Sequence, residues 1–113
     1  MVKFKVKFYE TSEGRRVVKN FVNSLEAVTR SKVMTRINLL KEFGPKLSMP
    51  YAKPVGSGLF ELRVRGKQEA RVLYAYVKND TIYLLHGFVK KTQVIPRKEL
   101  RMALKRKKEV DSL

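Results

Sequence analysis

Five basic residues could form a site for phosphate, and they lie on or just after segments that resemble strands: Arg63, Arg65, Arg71, Lys90 and Lys91. Guanidinium and ammonium groups held on rigid elements bind phosphate oxygens and stabilise negative charge that develops there. A lysine among other cations also has a lowered pKa, because like charges disfavour its protonated form. Lys90 or Lys91 could therefore transfer a proton near neutral pH. These residue types point to chemistry on the phosphates of nucleic acid.

The strands that must position these cations are indicated by alternation of apolar and polar residues. The pattern predicts three strands, over residues 59–65, 70–77 and 81–89. In the first of them, apolar side chains take one face and Glu61, Arg63 and Arg65 take the other. Short turns at 66–69 and 78–80 predict an antiparallel meander. Whether the five cations meet depends on strand register, which sequence alone does not determine.

A strand and a helical hairpin are predicted before this meander. Alternation near residues 3–8 predicts a half-buried strand whose lysines could contact RNA, although lysines in such a row more often protect a sheet edge. Ser12 is expected to cap the first helix, and Gly44 with Pro45 to end the second. The apolar stripes of the two helices are predicted to be Val17, Val18, Phe21, Val22, Leu25, Val33, Met34, Ile37, Leu40 and Phe43.

The other segments complete a small α+β fold. Residues 44–58 contain three of the four prolines and are expected to form an ordered loop. A last helix is predicted to begin at Pro96, with Leu100, Ala103 and Leu104 facing inward. The predicted order is strand, helix hairpin, three-stranded meander and C-terminal helix, in one domain spanning residues 1–113.

Composition favours a polyanionic partner. The chain has 26 Lys and Arg against 10 Asp and Glu, a formal charge of +16 over 113 residues. Nucleic acid is the first candidate, with an anionic membrane surface and an acidic protein as alternatives. We expect no cofactor and no metal site, since the chain has no cysteine and one histidine. We also expect no signal peptide and no membrane span, and hence a cytoplasmic protein.

Other residues are candidates for supporting roles. His86 has a suitable side chain for a general base, but it lies in an apolar strand, where alternation groups it with Leu84 and Phe88 as a core residue. Glu61 could act as a base or pair with its neighbours. Tyr74 and Tyr76 could stack on bases, although packing is the simpler interpretation. Further RNA-binding candidates are Arg65, Lys53, Lys67, Arg97, Lys98 and Arg101.

Three motifs together resemble a known family. The segments LFELRVR (59–65), ARVLY (70–74) and LHGFVKKT (85–92), followed by Pro96, are similar to the RelE/HigB-type toxins, in particular to the phage-derived Gp49-like branch. The similarity covers residues 3–108, and the predicted order of elements agrees with it. Each motif alone is weak, but their combination is fairly specific.

The resemblance implies an endoribonuclease that cuts mRNA, in many relatives within the ribosome, and that a cognate antitoxin with a helix-turn-helix neutralises. Arg71 would then match the strand arginine that contacts the scissile phosphate. Arg63 and Lys91 match basic positions of the neighbouring strands. Glu61 stands where some members have a lysine, and Arg97 or no clear counterpart stands where some have a tyrosine.

RNA supplies its own nucleophile for such a reaction, because its 2′-hydroxyl lies beside the phosphorus. The enzyme must align this hydroxyl, remove its proton, stabilise the phosphoryl oxygens and protonate the leaving 5′-oxygen. Arg71 is expected to stabilise charge with help from Arg63, so that Arg71→Ala should slow cleavage by about 10²–10³-fold. The fold should survive this change, since no core volume would be lost. The general base stays open. The alternative is a non-catalytic module that binds nucleic acid or an acidic partner.

Overall fold

The computed structural model describes residues 3–78 and 80–113. The elements follow the order β1 (Lys5–Phe8), α1 (Val17–Ser24), α2 (Ala27–Phe43), a short 3₁₀ turn (Gly44–Lys46), β2 (Ala52–Gly56), β3 (Leu59–Val64), β4 (Ala70–Val77), β5 (Thr81–Val89) and α3 (Arg97–Asp111). The predicted α+β class is therefore confirmed. Asn79, in the predicted turn at 78–80, lies outside the described residues.

The strands form one five-stranded sheet in the order β1-β5-β4-β3-β2. The predicted meander is confirmed, since β3, β4 and β5 pair antiparallel with short connections. Strand β1 pairs parallel to β5, with Lys5 beside Thr81. It therefore lies at a sheet edge, where Lys5 and Lys7 are exposed, as the edge interpretation of the lysine row predicts.

Helices cover both faces of the sheet. A methyl group added to Gly87 of β5 would meet the Phe21 ring of α1, whereas the neighbouring His86 contacts Glu99 of α3. Since successive strand residues point to opposite faces, α1 and α3 lie on opposite sides of the sheet. Helix α2 packs beside α1. The face under α3 carries the charged residues of β3 and β4, and α3 covers only part of it.

The first helix begins later than predicted. It starts at Val17, and no side chain caps it, so the capping role predicted for Ser12 is wrong. The reason is local, because Gly14 adopts a φ of 85° and residues 11–15 form a turn. The Thr11 hydroxyl closes this turn by accepting the Arg15 backbone N–H at 3.0 Å.

The predicted apolar stripes are confirmed except at Met34 and Phe43. The structure leaves these two side chains 43% and 47% exposed. The buried positions of α2 include Val33, Ile37 and Leu40, spaced by four and three residues. Met34 falls beside this stripe, and Phe43 lies at the last residue of the helix. The stripe of α2 is therefore narrower than its composition indicates.

The expectation of a loop over 44–58 is wrong in its second half. Strand β2 pairs there with β3, so that Ala52 lies opposite Leu62 and Lys53 opposite Glu61. Pro54 fits because β2 is an edge strand, which leaves one side of its backbone without a ladder. An irregular register between Pro54 and Gly56 then ends the strand.

The last helix begins at Arg97, with Pro96 as its N-cap rather than as its first residue. Its inward side is as predicted, because Ala103 is fully buried and Leu100 and Leu104 are partly buried against the core. Across residues 3–78 and 80–113, no helix has the length and apolar character needed to span a membrane.

Candidate functional site

The cations predicted from the sequence meet at the end of the sheet that α3 leaves open. In the β3–β4 ladder, Arg63 lies directly opposite Arg71. In the β4–β5 ladder, Arg71 lies opposite Phe88, two residues before Lys90. A cavity of about 450 Å³ opens here, and its lining consists of Arg63, Arg65, Glu69, Arg71, Lys90, Lys91, Thr92 and Gln93. All five cations of the first candidate site therefore line one cavity.

The side chain of Arg71 is more deeply buried in the sheet than the sequence pattern predicts. Its side chain is 4% exposed, and its Nη1 atom donates hydrogen bonds to the backbone oxygens of Val64 at 3.3 Å and Ala70 at 2.9 Å. Burial lowers the pKa of Arg71 from its ordinary value, although a guanidinium still stays protonated. The premise that Arg71→Ala would remove no core volume is therefore wrong.

Glu61 lies between the two arginines of the ladder. Its carboxylate is 0% exposed and lies 3.5 Å from Arg63 Nε and 3.6 Å from Arg71 Nε. Among the described residues, neither of its oxygens has a hydrogen-bond partner. The ion-pair interpretation of Glu61 is thus confirmed. Its burial allows it to hold the arginines in place but denies it direct access to a ligand.

Glu69 is a second carboxylate of the site, and sequence reasoning missed it. It ends the turn between β3 and β4, and its oxygens lie 3.7 Å from both Arg65 Nε and Arg71 Nη1. Its side chain is 36% exposed. Its position two residues before Arg71 could have indicated this role, because residues two apart in an extended chain have their side chains on the same face. Thr92 and Gln93, after β5, were missed as well.

Lys90 faces Glu69 across the end of the β4–β5 ladder. Its backbone N–H donates to the Glu69 backbone oxygen at 2.7 Å. The pKa of its ammonium is lowered chiefly by burial. The Glu61 carboxylate opposes this, while the charges of Arg71, Lys53 and Arg63 add to the lowering. This is the direction expected for a lysine among cations. Lys91, next along the chain, is exposed.

His86 lies away from this cavity and under α3. Its Nε2 lies 2.9 Å from Glu99 Oε1, and its Nδ1 lies 3.3 Å from Arg106 Nη1. The predicted grouping with Leu84 is wrong. Leu73 pairs with His86 but Tyr74 pairs with Leu84, so Leu85 is an extra residue that reverses the alternation. Among the described residues, His86 is not part of the cavity lining.

The supporting candidates are spread over a wider surface. Lys53 is exposed on β2 opposite Glu61, and Lys67 is exposed in the turn before β4. Lys98 lines a neighbouring cavity of about 380 Å³ that Lys90 and Lys91 also line. Arg97 and Arg101 are exposed on α3. Lys98 thus extends the cationic surface, and the charge of Lys53 acts on Lys90, although Lys53 lies outside both linings. Lys67, Arg97 and Arg101 also lie outside both linings.

The tyrosines of β4 pack, as the simpler interpretation predicts. Tyr74 is fully buried and stacks on Phe60 at 5.5 Å between ring centroids, and Tyr76 meets Phe60 edge-on at 5.1 Å. Burial raises the pKa of both tyrosine hydroxyls. They lie on the sheet face opposite the cavity, since Phe60 alternates with Glu61 along β3.

The side chains at the cavity suit an anion. Five of the lining residues are cations and one is a carboxylate, with two neutral polar side chains beside them. Within the described ranges 3–78 and 80–113, no three His, Cys, Asp or Glu residues cluster in a way that could hold a metal ion. The five cationic side chains supply positive charge at this cavity.

Sequence comparison matches residues 20–108 to the phage-derived Gp49-like protein family. The chain therefore belongs to this family, which is one of RelE/HigB-like toxins. This confirms the resemblance noted in the strand motifs, and the matched range includes the whole cavity lining. It makes the chain a toxin–antitoxin-related protein, for which an antitoxin is the general class of partner. No curated protein sequence matches the chain.

Proposed function

We propose that this protein is the toxin of a type II toxin–antitoxin pair and cleaves mRNA, free or on the ribosome, without a metal ion. The observation that carries the proposal is the cavity itself, where five cations from three strands and their turns surround a space of about 450 Å³. Such an arrangement fits a phosphodiester whose charge rises during cleavage. The family's association with ribonucleases of toxin–antitoxin systems supports the same activity.

In this mechanism the arginines bind the scissile phosphate and the RNA attacks itself. Arg63 and Arg71, held in fixed orientation by Glu61, would bind the phosphoryl oxygens. Arg71 would do so through Nη2, because its Nη1 already donates to the backbone oxygens of Val64 and Ala70. Lys91 and Arg65 are exposed at the cavity mouth and contact flanking phosphates. The 2′-hydroxyl displaces the 5′-oxygen, which leaves a 2′,3′-cyclic phosphate and a 5′-hydroxyl.

The rest of the cationic surface would guide the RNA strand. Lys53 and Lys98 lie next to the cavity, and Lys67, Arg97 and Arg101 add positive charge farther out. These contacts would be electrostatic and independent of sequence, so binding should weaken with salt. A cognate antitoxin with a helix-turn-helix would silence the toxin in the cytoplasm. An acidic segment of that antitoxin would find a complementary surface here.

A second candidate function is RNA binding without cleavage. Its support is the burial of Arg71, whose side chain already pairs with Glu61, Glu69 and two backbone oxygens. A guanidinium so occupied has less capacity to stabilise a transition state than a free one. The experiment below separates the two functions.

The test is to incubate the protein with free RNA and with translating ribosomes and then to map the cleaved ends. We expect 5′-hydroxyl and cyclic or 3′-phosphate ends, activity on free RNA that survives EDTA, and resistance of RNA carrying 2′-O-methyl at the cut nucleotide. Lys91→Gln should weaken cleavage. Lys5→Gln, an equal charge change beside Thr81 at the opposite end of β5, should not. Binding without any cut would favour the second candidate, and 5′-phosphate ends would contradict the mechanism.

A further inference from the structure

The cavity brings a carboxylate to the place where a base is needed. Among the described residues that line it, Glu69 is the one acidic side chain. Its position is determined by backbone contacts. It directly precedes β4, and its backbone oxygen accepts the Lys90 N–H at 2.7 Å. The turn before β4 and the end of β5 thus hold Glu69 and Lys90 in a fixed relation.

Two carboxylates approach Arg71 at almost equal distance but differ in their access to a ligand. Glu61 lies 3.6 Å and Glu69 lies 3.7 Å from guanidinium nitrogens of Arg71. The side chain of Glu61 is 0% exposed, whereas that of Glu69 is 36% exposed. Of these two carboxylates, Glu69 is therefore the one that an RNA hydroxyl can reach. His86 is a poor alternative, because Glu99 and Arg106 engage its two ring nitrogens.

The oxygens of Glu69 are held by charge but are not occupied by hydrogen bonds. Distances of 3.7 Å to Arg65 and Arg71 exceed those of a hydrogen bond. Within the described part of the chain, Glu69 Oε2 is buried and has no hydrogen-bond partner, whereas Oε1, 3.7 Å from Arg65 Nε, is the oxygen on the accessible side of this partly exposed side chain. The lone pairs of Oε1 are therefore the ones available to accept a proton from a hydroxyl that enters the cavity.

We propose that Glu69 is the general base that takes the 2′-hydroxyl proton and that Lys90 is the general acid, an inference that rests on the proposed ribonuclease function. The Glu69 carboxylate accepts the proton as the 2′-oxygen bonds to phosphorus. The bond from phosphorus to the 5′-oxygen breaks, and the Lys90 ammonium gives that oxygen a proton. Glu69 ends neutral and Lys90 ends as an amine, and water then carries one proton from Glu69 to Lys90, which restores the charged form of both.

Arg71 links this proton transfer to the stabilisation of charge. Before reaction, part of its positive charge is balanced by Glu69 at 3.7 Å. When Glu69 accepts a proton, that balance is lost at the moment when charge builds on the phosphoryl oxygens. Negative charge thus moves from one neighbour of Arg71 to another, and the charge of the cavity as a whole stays the same. The lowered pKa of Lys90 makes its ammonium a better proton donor.

The test compares Glu69→Gln, Glu69→Asp and Lys90→Gln on two substrates, with Glu13→Gln as an exposed, matched control. One substrate is the RNA or mRNA that the wild-type protein cuts. The other carries sulfur in place of the 5′-bridging oxygen, because a thiolate leaves without being protonated. Rates are measured in single turnover as a function of pH, and circular dichroism checks that each variant is folded.

Glu69→Gln should reduce the rate by about 10²–10³-fold on both substrates and remove the fall in kcat/KM at low pH. Glu69→Asp should keep that pH dependence at a lower rate. Lys90→Gln should be slow on RNA and close to wild type on the sulfur substrate. If Glu69→Gln is folded and its rate is within about threefold of wild type, Glu69 is not the general base. If Lys90→Gln loses the same fraction of its rate on both substrates, Lys90 is not the general acid. A wild-type protein that cuts neither substrate would instead refute the proposed function.

Discussion

Replacing Arg71 with methionine should destabilise the fold, because the change leaves a buried carboxylate without one of its two cations. Glu61 is 0% exposed and would keep only Arg63, at 3.5 Å. Methionine retains most of the aliphatic volume, so that the loss is mainly one of charge and hydrogen bonds. The backbone oxygens of Val64 and Ala70, two buried residues, would also lose the hydrogen bonds that Arg71 now donates.

The size of the effect follows from the burial of the pair. Removing one partner of a buried ion pair costs about 3–5 kcal/mol, and the retained Arg63 puts the expectation at the lower end, about 3 kcal/mol. With an unfolding entropy of about 2.1 cal/mol/K per residue, this lowers Tm by roughly 12 °C. Arg65→Met is the matched control. Arg65 is 69% exposed, so losing its pair with Glu69 should cost at most about 1 kcal/mol.

Urea unfolding followed by far-ultraviolet circular dichroism measures these differences. A double-mutant cycle compares Arg71→Met with Glu61→Leu and with the double variant that carries both substitutions. Because the double variant buries no lone carboxylate, it should be more stable than the sum of the two single losses by about 1–3 kcal/mol. A loss below about 1 kcal/mol for Arg71→Met, or additivity within about 0.5 kcal/mol, would refute this account of the site.

Two further predictions concern packing and pH. Gly87→Ala should lower the free energy of unfolding by about 1–3 kcal/mol, because its new methyl group would overlap the Phe21 ring. Adding Phe21→Leu to this variant should restore part of the lost stability, and equal stability of Gly87→Ala and the wild type in urea would contradict the contact. Burial lowers the pKa of Lys90 in the folded state, so that keeping this lysine protonated reduces the free energy of unfolding at any pH below that pKa. This loss of stability disappears as the pH rises from the folded pKa to the unfolded value of about 10.4. Lys90→Gln should therefore be more stable than wild type at pH 7, with an advantage that shrinks by about pH 10, and an advantage independent of pH would exclude this cause.

Local pattern was enough to predict much of the framework. The alternation that separates Glu61 and Arg63 from the apolar face of β3 repeats every two residues, and such a period needs no knowledge of distant segments. The same holds for the strands of the meander and for the helix after Pro96, which begins within one residue of its predicted start. The family resemblance was carried by these same short motifs.

Local pattern failed where a distant partner decides the conformation. Residues 52–56, rich in proline and glycine, become a strand because β3 offers them an edge to pair with. Ser12 did not begin a helix, because Gly14 and the Thr11 hydroxyl favour a turn. Met34 is apolar yet exposed, because α2 buries the neighbouring positions Val33, Ile37 and Leu40 instead.

The sequence by itself determined that these strands carry cations next to apolar faces, because charge and alternation are properties of short segments. Only the tertiary structure decided how those cations are used. Register places Arg63 opposite Arg71, an extra residue at Leu85 turns His86 towards α3, and burial separates an inaccessible Glu61 from an accessible Glu69. Register and burial depend on contacts between segments far apart in the chain, so the hydrophobic pattern within one segment does not predict them.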